Sequence, residues 1–202
     1  MGKAYTEKER EKIHTQLLEA GLELFHEGVR KISIRELAKR AGIAQGGFYT
    51  FFSDKDDFVM ELICYRNKQK MKLIEKQFDL SLENPVFFVS EAIFRTSWDL
   101  KQKAEKSQMY ADIFRFCIDK ELPEREKLYA QVNTVLQHLS DYWEKHDLPI
   151  TLDIKGIINV IKGTLILYSN LDLIDEQYAQ VLLKTFISEN CKCYIRKIDE
   201  VR

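Results

Sequence analysis

Apolar residues recur along this chain at i, i+3, i+4 and i+7, the spacing of amphipathic helices, in successive blocks separated by short polar punctuation. Thr6 and Glu9 form a capping box that starts a first helix, whose buried stripe is Ile13, Leu17, Ala20, Gly21, Leu24 and Phe25 and which Gly28 ends. Ser33 and Glu36 repeat the box, so a second, short helix begins at Ile34. It packs Ile34, Leu37, Ala38 and Ala41 inward and turns Arg35, Lys39 and Arg40 elsewhere. Gly42 stands where the chain needs a left-handed residue, and a third helix restarts near Ala44. Its Phe48 and Phe52 pack with Ile43 and Leu37, leaving Gln45, Gly46, Tyr49 and Thr50 outward. This is helix-turn-helix spacing, supported by the first helix as a three-helix module.

The remainder reads as longer helices. Asp54 caps one running to about Asp79, with Phe58, Leu62 and Tyr65 toward the small module and Leu73, Ile74 and Phe78 in the following core. Such a rod serves two cores. Asn84-Pro85 opens a helix to about Lys106, and a helix from Gln108 to Ile118 follows. Leu122-Pro123 opens a further one to Lys145, with a stripe running from Leu128 to Trp143, and Leu148-Pro149 closes it. The chain then ends on a helical hairpin, about 152–173 and 175–198. The fold class expected is all-α: residues 1–55 form a helix-turn-helix domain extending to about 66, and residues 67–202 form a larger helical bundle.

Composition agrees, since eight glycines and three prolines among 202 residues are few for a β-rich chain. A formal charge of −1 excludes a polybasic nucleic-acid binder, so any DNA role must rest on a local patch. Between Gly28 and Lys55 the basic residues are Arg30, Lys31, Arg35, Lys39, Arg40 and Lys55, against Glu36 and Asp54. The four cysteines fit a reduced cytoplasm, nothing resembles a secretory leader, and no apolar run is long enough for a membrane span.

The pair Gly46-Gly47 is the sharpest local clue. Each glycine inside a helix costs about 1 kcal/mol relative to alanine. Either the segment is a loop, or its bare backbone is there to press against a bulky partner such as the wall of a DNA groove. Together, Ser33, Ile34-Arg35-Glu36-Leu37-Ala38, Ala41-Gly42-Ile43, Gly46, Phe48-Tyr49, Phe52 and Lys55 resemble the TetR-like family of transcriptional regulators. The family usually has serine at the position of Ala44 and a larger side chain at Gly47.

The candidate DNA-contacting residues are Ser33, Arg35, Ala44, Gln45, Gly46, Gly47, Tyr49, Thr50 and Lys55. Gln45 suits a bidentate pair with adenine and Thr50 a base-edge contact, whereas Arg35, Lys55 and the Tyr49 hydroxyl suit phosphates. The resemblance further implies a cytoplasmic repressor that dimerises through its last two helices and is released by a small molecule. Ile157, Ile161, Leu165, Leu183, Phe186 and Ile187 are the interface candidates. Aromatic residues spread over several helix faces, Phe88, Phe94, Trp98, Tyr110, Phe114 and Tyr168, are the candidates for an effector cavity.

No cofactor, metal or catalysis is expected. The chain lacks a phosphate loop and an HExxH, the thiols of Cys191-x-Cys193 point to different sides of a helix, and His14, His26, His138 and His146 read as ordinary packing or surface groups. The competing classes are a helical-bundle enzyme and a protein-interaction adaptor without DNA binding. A steeply salt-dependent affinity for duplex DNA separates the first reading from both.

Overall fold

The computed structural model describes residues 5–25, 28–118 and 125–198, nearly all helical. The helices are α1 Glu7–Phe25, α2 Ile34–Arg40, α3 Lys55–Glu75, α4 Pro85–Ala104, α5 Gln108–Ile118, α6 Arg125–Lys145, α7 Ile154–Tyr168 and α8 Glu176–Tyr194. The Leu122-Pro123 start and His26 lie outside the described residues, as do the side chains of Arg30 and Phe116.

The chain divides into two compact units. One comprises the amino-terminal residues to Arg66 together with Lys103–Ile113; the other comprises Asn67–Gln102 and the chain from Phe114 onward. Helix α3 therefore begins in the first unit and ends in the second. The sequence reading placed 103–113 wholly in the larger domain, whereas these residues pack with the amino-terminal module.

In the first unit the core is built on aromatic rings. Phe48, Phe52 and Phe58 are fully buried and meet pairwise at 5.0–5.5 Å between centroids, in the tilted and edge-on geometries that aromatic rings favour. Gly21 lets this cluster approach α1: a Cβ there would lie 2.6 Å from Phe58 Cζ. Thr6 and Glu9 close their capping box reciprocally, the Thr6 N–H donating to the Glu9 carboxylate at 2.9 Å and the Glu9 N–H to Thr6 Oγ1 at 3.3 Å. At α3, Asp54 Oδ1 accepts the Asp57 N–H at 2.8 Å, and at α4 Asn84 Oδ1 accepts the Phe87 N–H at 3.0 Å.

The second unit buries the inner faces of α4, α6, α7 and α8, with Trp143, Ile157, Leu183 and Ile187 at its centre. Gly156 faces the Tyr194 ring and Gly163 the Phe186 ring, so α7 and α8 lie antiparallel within the same chain. Helix α3 stops at Glu75 rather than Asp79. A 3-10 turn, Phe78–Ser81, follows, and the Trp143 indole N–H donates to Ser81 Oγ beneath it at 2.7 Å. Phe78 enters the core and Ile74 packs against it as expected, but Leu73 is exposed.

The last helix ends at Tyr194, not Ile198, and the preceding one spans Ile154–Tyr168 rather than 152–173. The difference is a two-stranded antiparallel ribbon, β1 Ile150–Leu152 against β2 Ile195–Lys197, with Thr151 opposite Arg196. Pro149 disfavours helix at Leu148, and its carbonyl accepts the Ile198 N–H at 3.0 Å. The ribbon is a local tie on an otherwise all-α fold.

Candidate nucleic-acid interface

The turn of the helix-turn-helix module forms as the sequence predicts. Gly42 has φ +69°, the Ile43 N–H reaches the Ala38 carbonyl at 2.9 Å and the Gly42 N–H the Lys39 carbonyl at 3.2 Å, the paired bonds of a Schellman stop. Ser33 Oγ accepts the Glu36 N–H at 3.4 Å, which starts α2. The expected reciprocal arm of this box is redirected, because the Glu36 carboxylate accepts from Arg40 Nε at 2.9 Å. Arg40 also donates to Glu23 at 2.5 Å. The Arg40–Glu36 hydrogen bond holds the Glu36 carboxyl below its ordinary range, and the Arg40–Glu23 bond ties α2 to α1. Arg40 is thus engaged by two acids, and the basic face of the motif consists of exposed Lys31, Arg35 and Lys39 with half-buried Lys55.

The segment read as a third α-helix is a 3-10 helix, Gln45–Thr50. Its ladder steps three residues, with the Gly47 N–H to Ala44 at 2.8 Å and the Phe51 N–H to Phe48 at 3.0 Å. Two adjacent glycines of low α propensity and an Ala44 that offers no side-chain cap are the physical reason. Phe48 anchors this helix in the core with Leu37 and Phe52, while Ala44, Gln45, Gly46, Tyr49 and Thr50 are exposed. Tyr49 is 54% exposed, which leaves its ring and hydroxyl at the surface. A Cβ at Gly46 would meet no atom within 4 Å, and one at Gly47 only Ile43 at 3.6 Å. The fold itself therefore does not require glycine at 46. The Thr50 hydroxyl donates to the Gly47 carbonyl at 2.7 Å, so the methyl and the oxygen lone pairs are what it presents.

Two positioning residues were not anticipated. Arg10 of α1 donates to the Thr50 carbonyl at 3.1 Å and lies 5.4 Å from the Phe51 ring centroid, fastening the end of the exposed helix. Asp112 of α5 is buried. Its Oδ2 accepts the Val29 N–H at 2.8 Å and its Oδ1 the Gln108 amide at 2.9 Å. The only sequence signal for Asp112 was that it is the sole acid in a mostly apolar helix.

Other predicted residues separate. Phe94 stacks on Trp98 at 5.7 Å, and Trp98 and Phe114 both meet Tyr168 edge-on at 6.2 and 6.1 Å. Phe88 lies apart from that row, against Phe78. Tyr110 belongs to the first unit, where its hydroxyl accepts from Arg66 at 2.7 Å beneath the guanidinium. Of the interface candidates, Ile157, Leu183 and Ile187 are fully buried in the chain's own core and have no surface left for a partner. Ile161, Leu165 and Phe186 are half-buried, and the apolar residues exposed around them are Ile166 of α7 and Tyr178, Val181 and Leu182 of α8. Half of the interface candidates thus belong to the inner faces of these helices. His14 and His138 accept structural roles, each 2.7 Å from a carboxylate, Glu61 and Glu75 respectively. Cys191 is buried and Cys193 exposed, so the two thiols of the CxC pair do not converge.

Residues 17–62 match the family model of bacterial regulatory proteins of the tetR family. The chain is 25% identical over 189 residues to the HTH-type transcriptional regulator SrpR of Pseudomonas putida, spanning 88% of this chain and 83% of that one. In fold it is similar to RolR in complex with resorcinol, with a TM-score of 0.58 at 15% identity over 96% of this chain and 100% of that one. A TetR transcriptional regulator from Rhodococcus sp. RHA1 gives 0.58 at 17% identity over 91% and 97%. FadR of Thermus thermophilus in complex with lauroyl-CoA gives 0.55 at 12% identity over 90% of each. With the Schellman-stopped turn in agreement, residues 17–62 form a helix-turn-helix module that matches bacterial regulatory proteins of the tetR family, on a chain whose all-helical fold is similar to those neighbours.

Proposed function

We propose that the chain binds a near-palindromic DNA operator as a homodimer and acts as a repressor released by a small molecule. The observation that carries this reading is the Gln45–Thr50 helix, which is held from behind by buried Phe48 and faces outward with Gln45, Gly46, Tyr49 and Thr50. Laid in a major groove, Gln45 pairs with an adenine edge and the Thr50 methyl meets a thymine methyl. Bare backbone at Gly46 and Gly47 allows close approach to the groove wall. Arg35, Lys55 and the Tyr49 hydroxyl take phosphates, as does the start of α2 at Ser33, where backbone N–H groups and the helix dipole favour an anion. These contacts position the protein; the base-edge contacts specify the sequence.

Dimerisation is assigned to the outer faces of α7 and α8, where Ile166, Tyr178, Val181 and Leu182 stand exposed on adjacent helices. Ligand response is supported by the aromatic row from Phe94 to Phe114 in the second unit, and by neighbours of the same fold whose structures hold resorcinol and lauroyl-CoA. Helix α3 carries Lys55 at its start and Ile74 near its end, so it is the covalent route from ligand to reading head. A ligand acts through it only to the extent that it binds the DNA-competent and released states with different affinity. This work is binding, not catalysis.

Selection of random duplexes by the purified protein tests the reading. The expected product is a near-palindrome with half-site centres about 34 Å apart, one duplex turn, bound with an affinity that falls steeply with salt. A failure to enrich any duplex at low ionic strength overturns it.

A further inference from the structure

The second unit contains a groove that meets the aromatic row only at Phe94. It has a volume of about 410 Å³ and runs between the first two turns of α4 and the carboxy-terminal half of α8. Its apolar surface is Val86, Phe87 and Phe94. Phe94 is core-packed, but Phe87 is 62% exposed at the rim. Facing them from α8 are Lys184 and Lys192, with Ser188 between.

The charges in the groove are unevenly engaged. Glu91 accepts from Arg95 Nε at 2.7 Å and Lys192 donates to Glu189 at 2.7 Å, so each has a partner of opposite sign. Lys184 instead holds its ammonium 4.7 Å from the centroid of the Phe94 ring, and among the described residues no carboxylate pairs with it. A cation parked over a ring at the mouth of an apolar groove gives up little when a carboxylate arrives, because a cation–π contact at a wet site is worth only about 0.5–1 kcal/mol. The positive end of the α4 dipole, at Asn84 to Phe87, lines the same groove and favours the same sign of ligand.

We propose that this groove binds a small amphipathic monocarboxylate, an aromatic or short aliphatic acid. Its body lies on Phe87 and Phe94, and its carboxylate draws Lys184 off the ring. The volume suits a small ligand, since it lies near the lower end of the ~300–1,000 Å³ typical of ligand sites. The inference rests on the reading of the chain as ligand-responsive and names the class of ligand.

The test uses the full-length protein with 2-naphthoate and octanoate, and with 2-naphthalenemethanol and octanol as uncharged counterparts. Binding is followed by calorimetry and by the emission of Trp98, which stacks on Phe94. The acids are expected to bind at least tenfold more tightly than the alcohols. Lys184→Met is expected to erase that preference while leaving alcohol binding unchanged, and Phe87→Ala, at an exposed position, to weaken acids and alcohols alike. Equal affinity for acids and alcohols, an unaltered preference in Lys184→Met, or no binding by any of the four probes would each overturn the proposal. A DNA arm keeps the two readings apart. If the acids bind as described but leave operator affinity unchanged, the groove stands and ligand-released repression through it falls. If another compound releases DNA while the acids fail to bind, the reverse holds.

Discussion

At Gly46 the demands of the fold and of the proposed function separate. No atom approaches a Cβ built there, and the residue is not in the left-handed region, so the protein accommodates alanine without strain. Gly46→Ala is therefore expected to leave thermal stability unchanged or raise it by up to about 1 kcal/mol, through the entropy of the unfolded chain. Operator affinity in the same variant is expected to fall at least tenfold, because the methyl stands where the backbone meets the groove. Calorimetric melting and a DNA titration on one sample check both halves. Gly42 and Gly28 are different, with φ of +69° and +93°, and a Cβ at Gly28 would sit 2.6 Å from Gln108 Cγ. The sequence revealed Gly42 because its cause is local, a helix stop nine residues after a Ser cap. Gly28 was also legible as a helix end, but its close approach to Gln108 was not, since that residue lies 80 positions along the chain.

Among elements, α2 shows how a short helix is held. Seven residues form a marginal helix by themselves. The cap from Ser33, the Schellman stop and the Glu23–Arg40–Glu36 tie supply the rest. Because the Arg40 hydrogen bond lowers the Glu36 carboxyl, the stabilisation it brings is fully present above the ordinary glutamate value of about 4.3 and is lost as pH falls through the lower folded value. Glu36→Gln is expected to flatten that acid limb of the stability profile, as read by denaturant midpoints at pH 3 to 7. A second tie comes from α5. Asp112→Ala leaves the Val29 N–H without its acceptor, and a loss of about 1–3 kcal/mol is expected. Faster amide exchange at Val29 would accompany it, with Asp112→Asn recovering part of both.

The same scale explains what was legible. Helix starts were readable at Thr6, Ser33, Asp54 and Asn84, where a cap and its partner lie three residues apart, though the same arrangement at Asp153 was passed over. The β1–β2 ribbon was not, because its two three-residue strands are some 45 positions apart in sequence and carry no alternation long enough to register. The 3-10 character of Gln45–Thr50 was half legible: Gly46-Gly47 flagged the weakness without saying what replaced the α-helix.

For the whole molecule, the proposed dimer rests on the outward faces of α7 and α8. Periodicity gave one apolar set on each helix, and only packing separates the residues that close the chain's own core from those left outside it. Leu183 and Ile187 took the first role, while Val181 and Leu182 kept the second. Leu182→Glu is expected to leave the monomer folded, since the side chain is already 43% exposed. It is also expected to shift sedimentation equilibrium toward monomer and to weaken binding to a full palindrome more than to a half-site. An unchanged mass would move the interface elsewhere.

The pairing of Asp112 with Val29 and of Tyr110 with Arg66 makes the reading head discontinuous in its gene. A fragment stopped at Arg66 would surrender the rib formed by Lys103–Ile113, leaving the α1–α2 corner without its buried acceptor. Transplanting this head onto another sensor would accordingly take two splice junctions, and a chimera made with one would inherit the recognition residues without the brace that sets their angle.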